Sequence, residues 1–274
     1  MPYFTDQAGR SVEIKSPPTK IISLVPSQTE LLFDLGLDES VIGITKFCIH
    51  PDHWFRTKHR VGGTKNPNLQ LIYQLQPDLI IGNKEENRKE DIDILAENFP
   101  VWLSDINNLD DALQMIDVIS RITATTDKGQ LIIINIRDSF GKQSQSSEQH
   151  RSSNQKFKVC YLIWQDPYIA VGNNTFIHSM MQECGFENVF AHESRYPTTT
   201  AEAITAKNCD FIFLSTEPYP FTEKHVKEIK SLFPGSIVML VDGELFSWYG
   251  SRLTRSAPYF QTLINKLQDA AGTS

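Results

Sequence analysis

Aromatic and charged side chains follow most of the short apolar runs that predict strands in this sequence. They occupy positions 26–28, 47–50, 83–84, 164–168, 217–221 and 242–249. Apolar and aromatic walls with a few placed polar groups are typical of a preformed small-molecule pocket. A single aromatic residue is more often part of a core, but aromatic and charged residues mixed in loops favour contact with a ligand. The set therefore predicts a small-molecule binding site.

Known motifs for covalent or metal chemistry are absent from the sequence. It contains no G-x-S-x-G elbow, no phosphate-binding loop, no dinucleotide fingerprint and no H-E-x-x-H. His50 and His53 lie near His59, but a proline interrupts their helical spacing and no fourth metal ligand is nearby. An enzyme or cofactor chaperone would use Cys48, His50 or Glu244 as ligand or base, yet no adjacent nucleophile–base pair is visible. We therefore expect a binding protein rather than an enzyme.

Apolar, β-branched runs alternate with helical patterns in both halves of the chain. The predicted strands are 21–25, 41–45, 79–82, 101–103, 158–164, 211–215 and 237–241. Ser27 and Glu30 fit a capping box at the start of the first helix. This alternation predicts an α/β fold with mostly parallel sheets and a ligand site beyond the carboxyl ends of the strands.

The middle of the chain has helical spacing. Apolar positions recur from about Leu109 to about Gln145 with a break at 123–126, which predicts one long helix or two in series. Residues 143–155 are rich in Ser and Gln and predict an exposed loop. The predicted division is an N-terminal α/β lobe at 1–108, an interdomain helix and polar loop at 109–150, and a C-terminal α/β lobe at 151–274.

Composition and charge argue against several classes of partner. The 274 residues include 26 Lys and Arg against 33 Asp and Glu, a net charge of −7. This acidity argues against nucleic acid or an anionic membrane surface, since both require basic patches. The apolar runs are much shorter than the ~20 residues of a membrane-spanning helix. The N-terminal residues show no export signal, and four widely spaced cysteines predict ordinary buried thiols.

Four stretches of sequence carry a family pattern. They read KIISLVPSQTELLFDLG, VIGITKFCIHP, RVGGTKNPNLQLIYQLQPDLIIG and GNNTFIHSMMQECGFENVF. In combination they resemble the substrate-binding proteins of metal-chelate ABC importers, the helical-backbone metal receptors, and most closely their cobalamin-binding branch. The resemblance covers nearly the whole chain. It implies two α/β lobes joined by one long rigid interdomain helix, as in class III periplasmic binding proteins, with the ligand in a shallow cleft between the lobes.

The resemblance also implies which residues bind the ligand. They are Ser27, Phe47, His50, Lys65, Lys84, Trp164, Tyr168, Tyr196, Glu217, Tyr219, Phe246, Trp248 and Tyr249. The aromatic members would meet a flat chelate by stacking and apolar contact. The loops of Lys65 and Lys84 occupy positions where cobalamin binders tend to place tryptophans, and these lysines would equally suit an anionic chelate or a propionate.

Members of the family dock on a permease through one glutamate per lobe. The matching positions here are Glu202 in the second lobe and Gln70 in the first, so one charge of the pair is missing. Cys184 stands where some exported cobalamin binders form a disulfide with the last helix, which lacks a cysteine here. Together with the missing signal, this predicts either a form for a reducing compartment or a gene start read too late.

The leading hypothesis is a non-enzymatic, monomeric protein that binds a corrinoid, with a siderophore or haem as the next choice, and delivers it to an ABC permease. No covalent cofactor and no directly bound metal are expected. The resemblance implies a periplasmic or cell-surface location. The alternative is a cytoplasmic corrinoid or metal-cofactor binding protein, chaperone or enzyme on the same fold, not coupled to a permease.

Overall fold

The computed structural model describes residues 1–149 and 156–272. These residues form two compact units. The first unit comprises Met1–Ile106, Asp110–Ile136 and Trp248–Leu253, and the second comprises the rest of the described chain. A short segment from late in the sequence is therefore part of the first unit.

The first unit is built on a parallel sheet preceded by a small antiparallel hairpin. Its elements are β1 (Tyr3–Thr5), β2 (Ser11–Glu13), β3 (Ile21–Ser23), α1 (Pro26–Asp34), β4 (Val41–Ile44), α2 (Asp52–Thr57), β5 (His59–Arg60), α3 (Leu69–Leu75), β6 (Leu79–Asn83), α4 (Lys89–Ala96) and β7 (Val101–Ser104). The parallel strands have the order β5-β4-β3-β6-β7. Ile22, Ile80 and Val101 are buried in its core. Parallel strands end at one edge, so the loops after β3, β4, β6 and β7 meet there.

Two helices in series occupy the middle of the chain. They are α5 (Leu109–Ile122) and α6 (Thr126–Gln149), and the boundary between the two units falls inside α6, after Ile136. The prediction of an exposed loop from position 143 is wrong as far as Gln149, because the Gln and Glu residues there are adequate helix formers. Positions 150–155 of that predicted loop lie outside the described residues.

The second unit has a mixed sheet. Its elements are β8 (Lys158–Trp164), β9 (Tyr168–Ala170), α7 (Phe176–Glu183), β10 (Glu187–Asn188), β11 (Thr198–Thr199), α8 (Ala201–Ala206), β12 (Phe211–Ser215), α9 (Glu223–Leu232), β13 (Ile237–Val241), α10 (Gly243–Ser247) and α11 (Leu253–Gly272). The strand order is β11-β9-β8-β12-β13, in which β8, β12 and β13 are parallel and β9 is antiparallel to its neighbours. Leu162, Ile212 and Leu214 are buried in the core. The predicted class, α/β with mostly parallel sheets, is confirmed.

The start of α1 differs from the prediction. The helix begins at Pro26 with Val25 at the N-cap and no side-chain cap, so Ser27 and Glu30 lie inside the helix and form no capping box. Proline is favoured at the first helical position because its fixed φ suits the helix. An N–H at this position would have no acceptor within the helix, so its absence costs nothing. Glu30 is instead part of a buried ion pair with Arg252.

Two further predictions concern cysteines and membranes. All four cysteines are buried and free, as the prediction of ordinary buried thiols requires. Among residues 1–149 and 156–272, no helix combines the length and hydropathy needed to cross a bilayer.

Candidate functional site

The loop after β4 presents apolar side chains above a buried polar cluster. Phe47 and Ile49 are 49% and 45% exposed. Beneath them, the Cys48 thiol lies 3.0 Å from the Thr29 hydroxyl and 3.1 Å from the Thr45 hydroxyl. Burial raises the pKa of Cys48 to about 11. Cys48 therefore stays a thiol at neutral pH.

A stack of side chains holds the Trp248–Leu253 segment in the first unit. The His50 ring meets the Trp248 ring edge-on, with 5.6 Å between centroids. The Arg252 guanidinium lies 4.5 Å from the Trp248 ring centroid and donates to both carboxylate oxygens of Glu30, at 2.7 and 2.9 Å. Trp248 is only 7% exposed. Although it was predicted to bind ligand, it has little surface to offer in this structure.

Tyr249 is also buried. Its hydroxyl donates to Glu86 Oε1 at 2.8 Å and so ties the segment to the loop after β6. Burial, reinforced by the Glu86 carboxylate, raises the pKa of Tyr249 well above its ordinary value, so the phenol stays protonated. The next residue, Gly250, has φ of 122°, and a Cβ there would lie 3.2 Å from the carbonyl oxygen of Ser27. Ser27, another predicted ligand residue, is buried where the backbone of Gly250 approaches it.

The two predicted ligand lysines are already engaged within the first unit. Lys65 Nζ donates to the backbone carbonyl of Glu85. Lys84 Nζ lies 2.6 Å from Asp105 Oδ2. Both side chains are exposed, but an anionic group on a ligand would have to compete with these existing contacts.

An aromatic cluster lies at the carboxyl ends of two neighbouring parallel strands of the second unit. We define it as Trp164, Tyr219, Phe221 and His225. Trp164, the last residue of β8, is 39% exposed and meets the Tyr219 ring edge-on, 5.3 Å between centroids. Tyr219 follows β12 and packs on Phe221 at 4.6 Å and on His225 at 5.5 Å. The cluster therefore runs from the buried core to the surface.

The other predicted aromatic residues of the second unit differ in exposure. Tyr168 and Tyr196 are half-buried, and the Arg195 guanidinium lies 5.8 Å from the Tyr196 ring centroid. Phe246 has no exposed surface and packs on Tyr161 at 5.2 Å. Phe246 was predicted to contact the ligand, and in this structure its side chain is enclosed in the core.

An acidic cavity of about 480 Å³ opens at the carboxyl ends of β12 and β13. Its lining residues are Thr216, Glu217, Leu240, Val241, Asp242 and Glu244. The Ser247 hydroxyl donates to Glu217 Oε1, and Asp242 Oδ1 accepts from the Leu245 N–H at 3.3 Å. Glu217 was predicted to bind ligand, and the structure places it beside Glu244, the residue considered as a base.

The two predicted docking residues occupy equivalent helix positions. Gln70 is the second residue of α3, after the N-cap Asn68, and Glu202 is the second residue of α8, after the N-cap Thr200. Both side chains are exposed. The backbone N–H of Glu202 and the Thr200 hydroxyl lower the pKa of Glu202, so it carries a negative charge at neutral pH. The two positions match in geometry and differ in charge.

Several residues around these sites were not predicted. Nothing in the sequence indicates the Glu30–Arg252 pair, because its members are 222 positions apart. His225 carries a weak signal, since T-x-x-H resembles a capping box with histidine in place of Glu or Gln. In the described part of the chain, no group of three His, Cys, Asp or Glu side chains is arranged to hold a metal ion.

Comparison with known proteins supplies a family and relatives. The family described as "Periplasmic binding protein" matches residues 21–232. A vitamin B12-binding protein of Vibrio cholerae is 26% identical over 201 residues, which cover 73% of this chain and 71% of the relative. An uncharacterised ABC transporter substrate-binding lipoprotein, YvrC of Bacillus subtilis, is 26% identical over 213 residues, covering 76% of this chain and 67% of YvrC.

A solved structure agrees with the fold. The periplasmic vitamin B12 binding protein BtuF of Vibrio cholerae superposes with a TM-score of 0.79 at 22% identity, covering 93% of this chain and 99% of BtuF. At that identity the likeness establishes the architecture alone.

Proposed function

We propose a transport function from one premise: the chain belongs to the periplasmic binding protein family. In this proposal it is a substrate-binding protein that delivers a metal chelate to an ABC importer. The observation that carries the proposal is the family match over residues 21–232. The relatives named for vitamin B12 binding and for ABC transport support the ligand class and the importer. The same relatives support a periplasmic or cell-surface location.

The exposed apolar surfaces at the strand ends suit a flat, partly apolar ligand. In the first unit these surfaces belong to Phe47 and Ile49, and in the second to Trp164 and its partner Tyr219. We propose that the ligand-binding residues are Ser27, Phe47, His50, Lys65, Lys84, Trp164, Tyr168, Tyr196, Glu217 and Tyr219, with Trp248 and Tyr249 supporting them. The chain acts as a monomer in this proposal and binds no metal except through the chelate.

Charge favours a corrinoid over the other chelates. Lys65 and Lys84 are bonded to the carbonyl of Glu85 and the carboxylate of Asp105, so neither is an uncommitted cation for an anionic ligand. The cavity at the ends of β12 and β13 adds carboxylates rather than positive charge. A ligand that carries carboxylates, such as haem with its two propionates, would be repelled more than a neutral or cationic corrinoid. We therefore place a corrinoid first, and a siderophore or haem second.

The permease contact is proposed at the exposed N-terminal turns of α3 and α8. Glu202 presents a negative charge there, and Gln70 presents a neutral amide in the equivalent position. Glu202→Gln should leave ligand affinity unchanged and lower permease-dependent uptake. Uptake equal to that of the wild type would argue against docking through this residue.

The test of the function is a thermal-shift and absorbance titration with cyanocobalamin, dicyanocobinamide, haemin and a small siderophore panel. A ligand present at 100 times its Kd adds about 2.7 kcal/mol to the free energy of unfolding. For a chain of this size that should raise Tm by roughly 5–10 °C. Saturable stabilisation by a corrinoid, with no chemical conversion of the probe, supports the proposal, and no response to any probe contradicts it.

A further inference from the structure

His225 links the start of α9 to the aromatic cluster. Its Nδ1 accepts the backbone N–H of Thr222 at 2.9 Å and lies 3.0 Å from the Thr222 hydroxyl. Because a backbone N–H can only donate, Nδ1 carries no proton, and the neutral ring carries its proton on Nε2. That atom lies 3.4 Å from the Tyr219 hydroxyl.

A histidine at this position does more than cap the helix. His225 is the third residue of α9, where a capping box ordinarily has Glu or Gln reaching back to the N-cap N–H. Glutamine would satisfy the Thr222 N–H equally well but would bring no ring. The additional contribution of histidine is aromatic contact, with ring centroids 5.5 Å from Tyr219 and 5.6 Å from Phe221.

These contacts continue outward to the exposed tryptophan. Tyr219 contacts both His225 and Phe221, which also contact each other, and it contacts Trp164. Trp164 ends β8 and Tyr219 lies in the loop after β12. Because the two strands pair in parallel, both residues lie at the same edge of the sheet. A Tyr219 ring that is fixed in place limits the rotamers of Trp164. Binding to a preorganised surface costs less ordering entropy than binding to a mobile one.

We propose that His225 is a positioning residue, which orients Tyr219 and through it Trp164 so that the pair presents a fixed aromatic wall to the ligand. This inference rests on the proposed binding function and deepens it. The ring of His225 performs the positioning, and its Nδ1 performs the helix capping. The two roles can therefore be separated by substitution.

The test compares His225→Gln, which keeps the cap and loses the ring, with His225→Phe, which keeps a ring and loses the cap. His225→Gln should lose less Tm than the variant without the cap and bind cyanocobalamin about threefold to tenfold more weakly, the range that aromatic pair contacts contribute. His225→Phe should have a lower Tm and bind with near wild-type affinity. Affinities that follow Tm across the two variants, or wild-type affinity in His225→Gln, would overturn the inference.

A second readout needs no ligand. Near-ultraviolet circular dichroism reports whether Trp and Tyr side chains are held in a fixed asymmetric environment, and Trp164→Ala identifies the band that belongs to the wall. That band should weaken in His225→Gln and persist in His225→Phe. An unchanged band in His225→Gln overturns the positioning role. If the wild type binds neither cyanocobalamin nor haemin, the proposed function fails, while the dichroism still decides the role of His225.

Discussion

The two units hold their strand-end residues by different forces. In the first unit the anchors are charged and polar: Arg252 with Glu30, Tyr249 with Glu86, and Lys84 with Asp105. In the second unit the anchors are ring contacts that run from the core to Trp164. The contribution of a polar pair to the free energy of unfolding depends strongly on how deeply the pair is buried. Aromatic contacts, by comparison, leave apolar ring surface exposed that a ligand can cover.

This difference separates stability from affinity. The polar groups of the first unit are already bonded to one another, so substitutions among them should act mainly on folding. The aromatic cluster leaves apolar surface exposed to solvent, where a ligand can cover it. Substitutions there should therefore act mainly on ligand binding. Four predictions test this separation.

The largest effect is expected at the buried ion pair of the first unit. Glu30 and Arg252 side chains are each 8% exposed. Glu30→Ala leaves the Arg252 charge buried without its partner and should lower the free energy of unfolding by about 3–5 kcal/mol, measured by urea denaturation. The double variant Glu30→Leu/Arg252→Met is the control, because removing both charges should recover most of the loss. If the free energy of unfolding of Glu30→Ala were within about 1 kcal/mol of the wild-type value, the pair would behave as an exposed one and the prediction would be wrong.

The next effect is expected on affinity in the second unit. Trp164→Ala removes the exposed face of the aromatic cluster and should weaken cyanocobalamin binding about tenfold. Because 39% of Trp164 is exposed, the loss in Tm should be smaller than that of Glu30→Ala. Trp164→Phe is the matched control, which should keep much of the affinity. If Trp164→Ala lowered Tm and left the affinity unchanged, the separation of stability from affinity would be wrong.

A smaller effect is expected at His178, in the second unit. The Asn188 amide nitrogen donates to His178 Nδ1 at 3.0 Å and to the Val171 carbonyl at 2.9 Å, while its oxygen accepts the Phe190 N–H. The amide orientation is therefore fixed, and only a neutral His178 can accept this bond. Burial lowers the pKa of His178 in the fold below its ordinary value of 6.5.

The sign of the pH dependence follows from that lowered pKa. The unfolded chain binds the proton more readily, so the stabilisation is present above about pH 6.5 and is lost as the pH falls below it. The hydrogen bond at stake contributes about 1 kcal/mol. Urea denaturation between about pH 7 and pH 5 should show a steeper loss in the wild type than in His178→Gln, which accepts the same bond without titrating. Parallel pH profiles would exclude this role.

The smallest effect is expected at the exposed ion pair of the first unit. The Lys84 side chain is 61% exposed and that of Asp105 is 29% exposed. Lys84→Ala should change the free energy of unfolding by less than about 0.5 kcal/mol, and the difference should vanish in about 1 M NaCl. The loss in Glu30→Ala should persist at that salt concentration. A large, salt-resistant effect of Lys84→Ala would show that the exposure of a polar pair does not predict its contribution to the free energy of unfolding.

The sequence was informative wherever local pattern decides the structure. The strands around Ile22, Ile80 and Leu214 were predicted because apolar, β-branched runs alternate with helical spacing. Trp164 and Tyr219 were both predicted at strand ends, but their contact was not, because local pattern does not show that β8 and β12 are neighbours in the sheet. The end of α6 beyond about Gln145 was missed because a polar composition was taken to exclude a helix that these residues can form.

Burial at the candidate site could not be predicted in the same way. Trp248 and Tyr249 are covered by His50, Arg252 and Glu86, two of which lie more than 150 positions earlier in the chain. No spacing rule connects residues at that distance. The burial of Phe246 was not predicted, because a loop aromatic and a core aromatic look alike until the tertiary packing is known.

The salt bridge between Glu30 and Arg252 also sets the order in which the protein can mature on the ribosome. The arginine is synthesised 222 residues after the glutamate. At translation rates of 5–20 residues per second, the interval is about 10–45 s. During that time the nascent first unit contains a carboxylate at an interior position without its counter-charge. We therefore expect this unit to complete its packing only when synthesis is nearly finished, although most of its sequence emerges first.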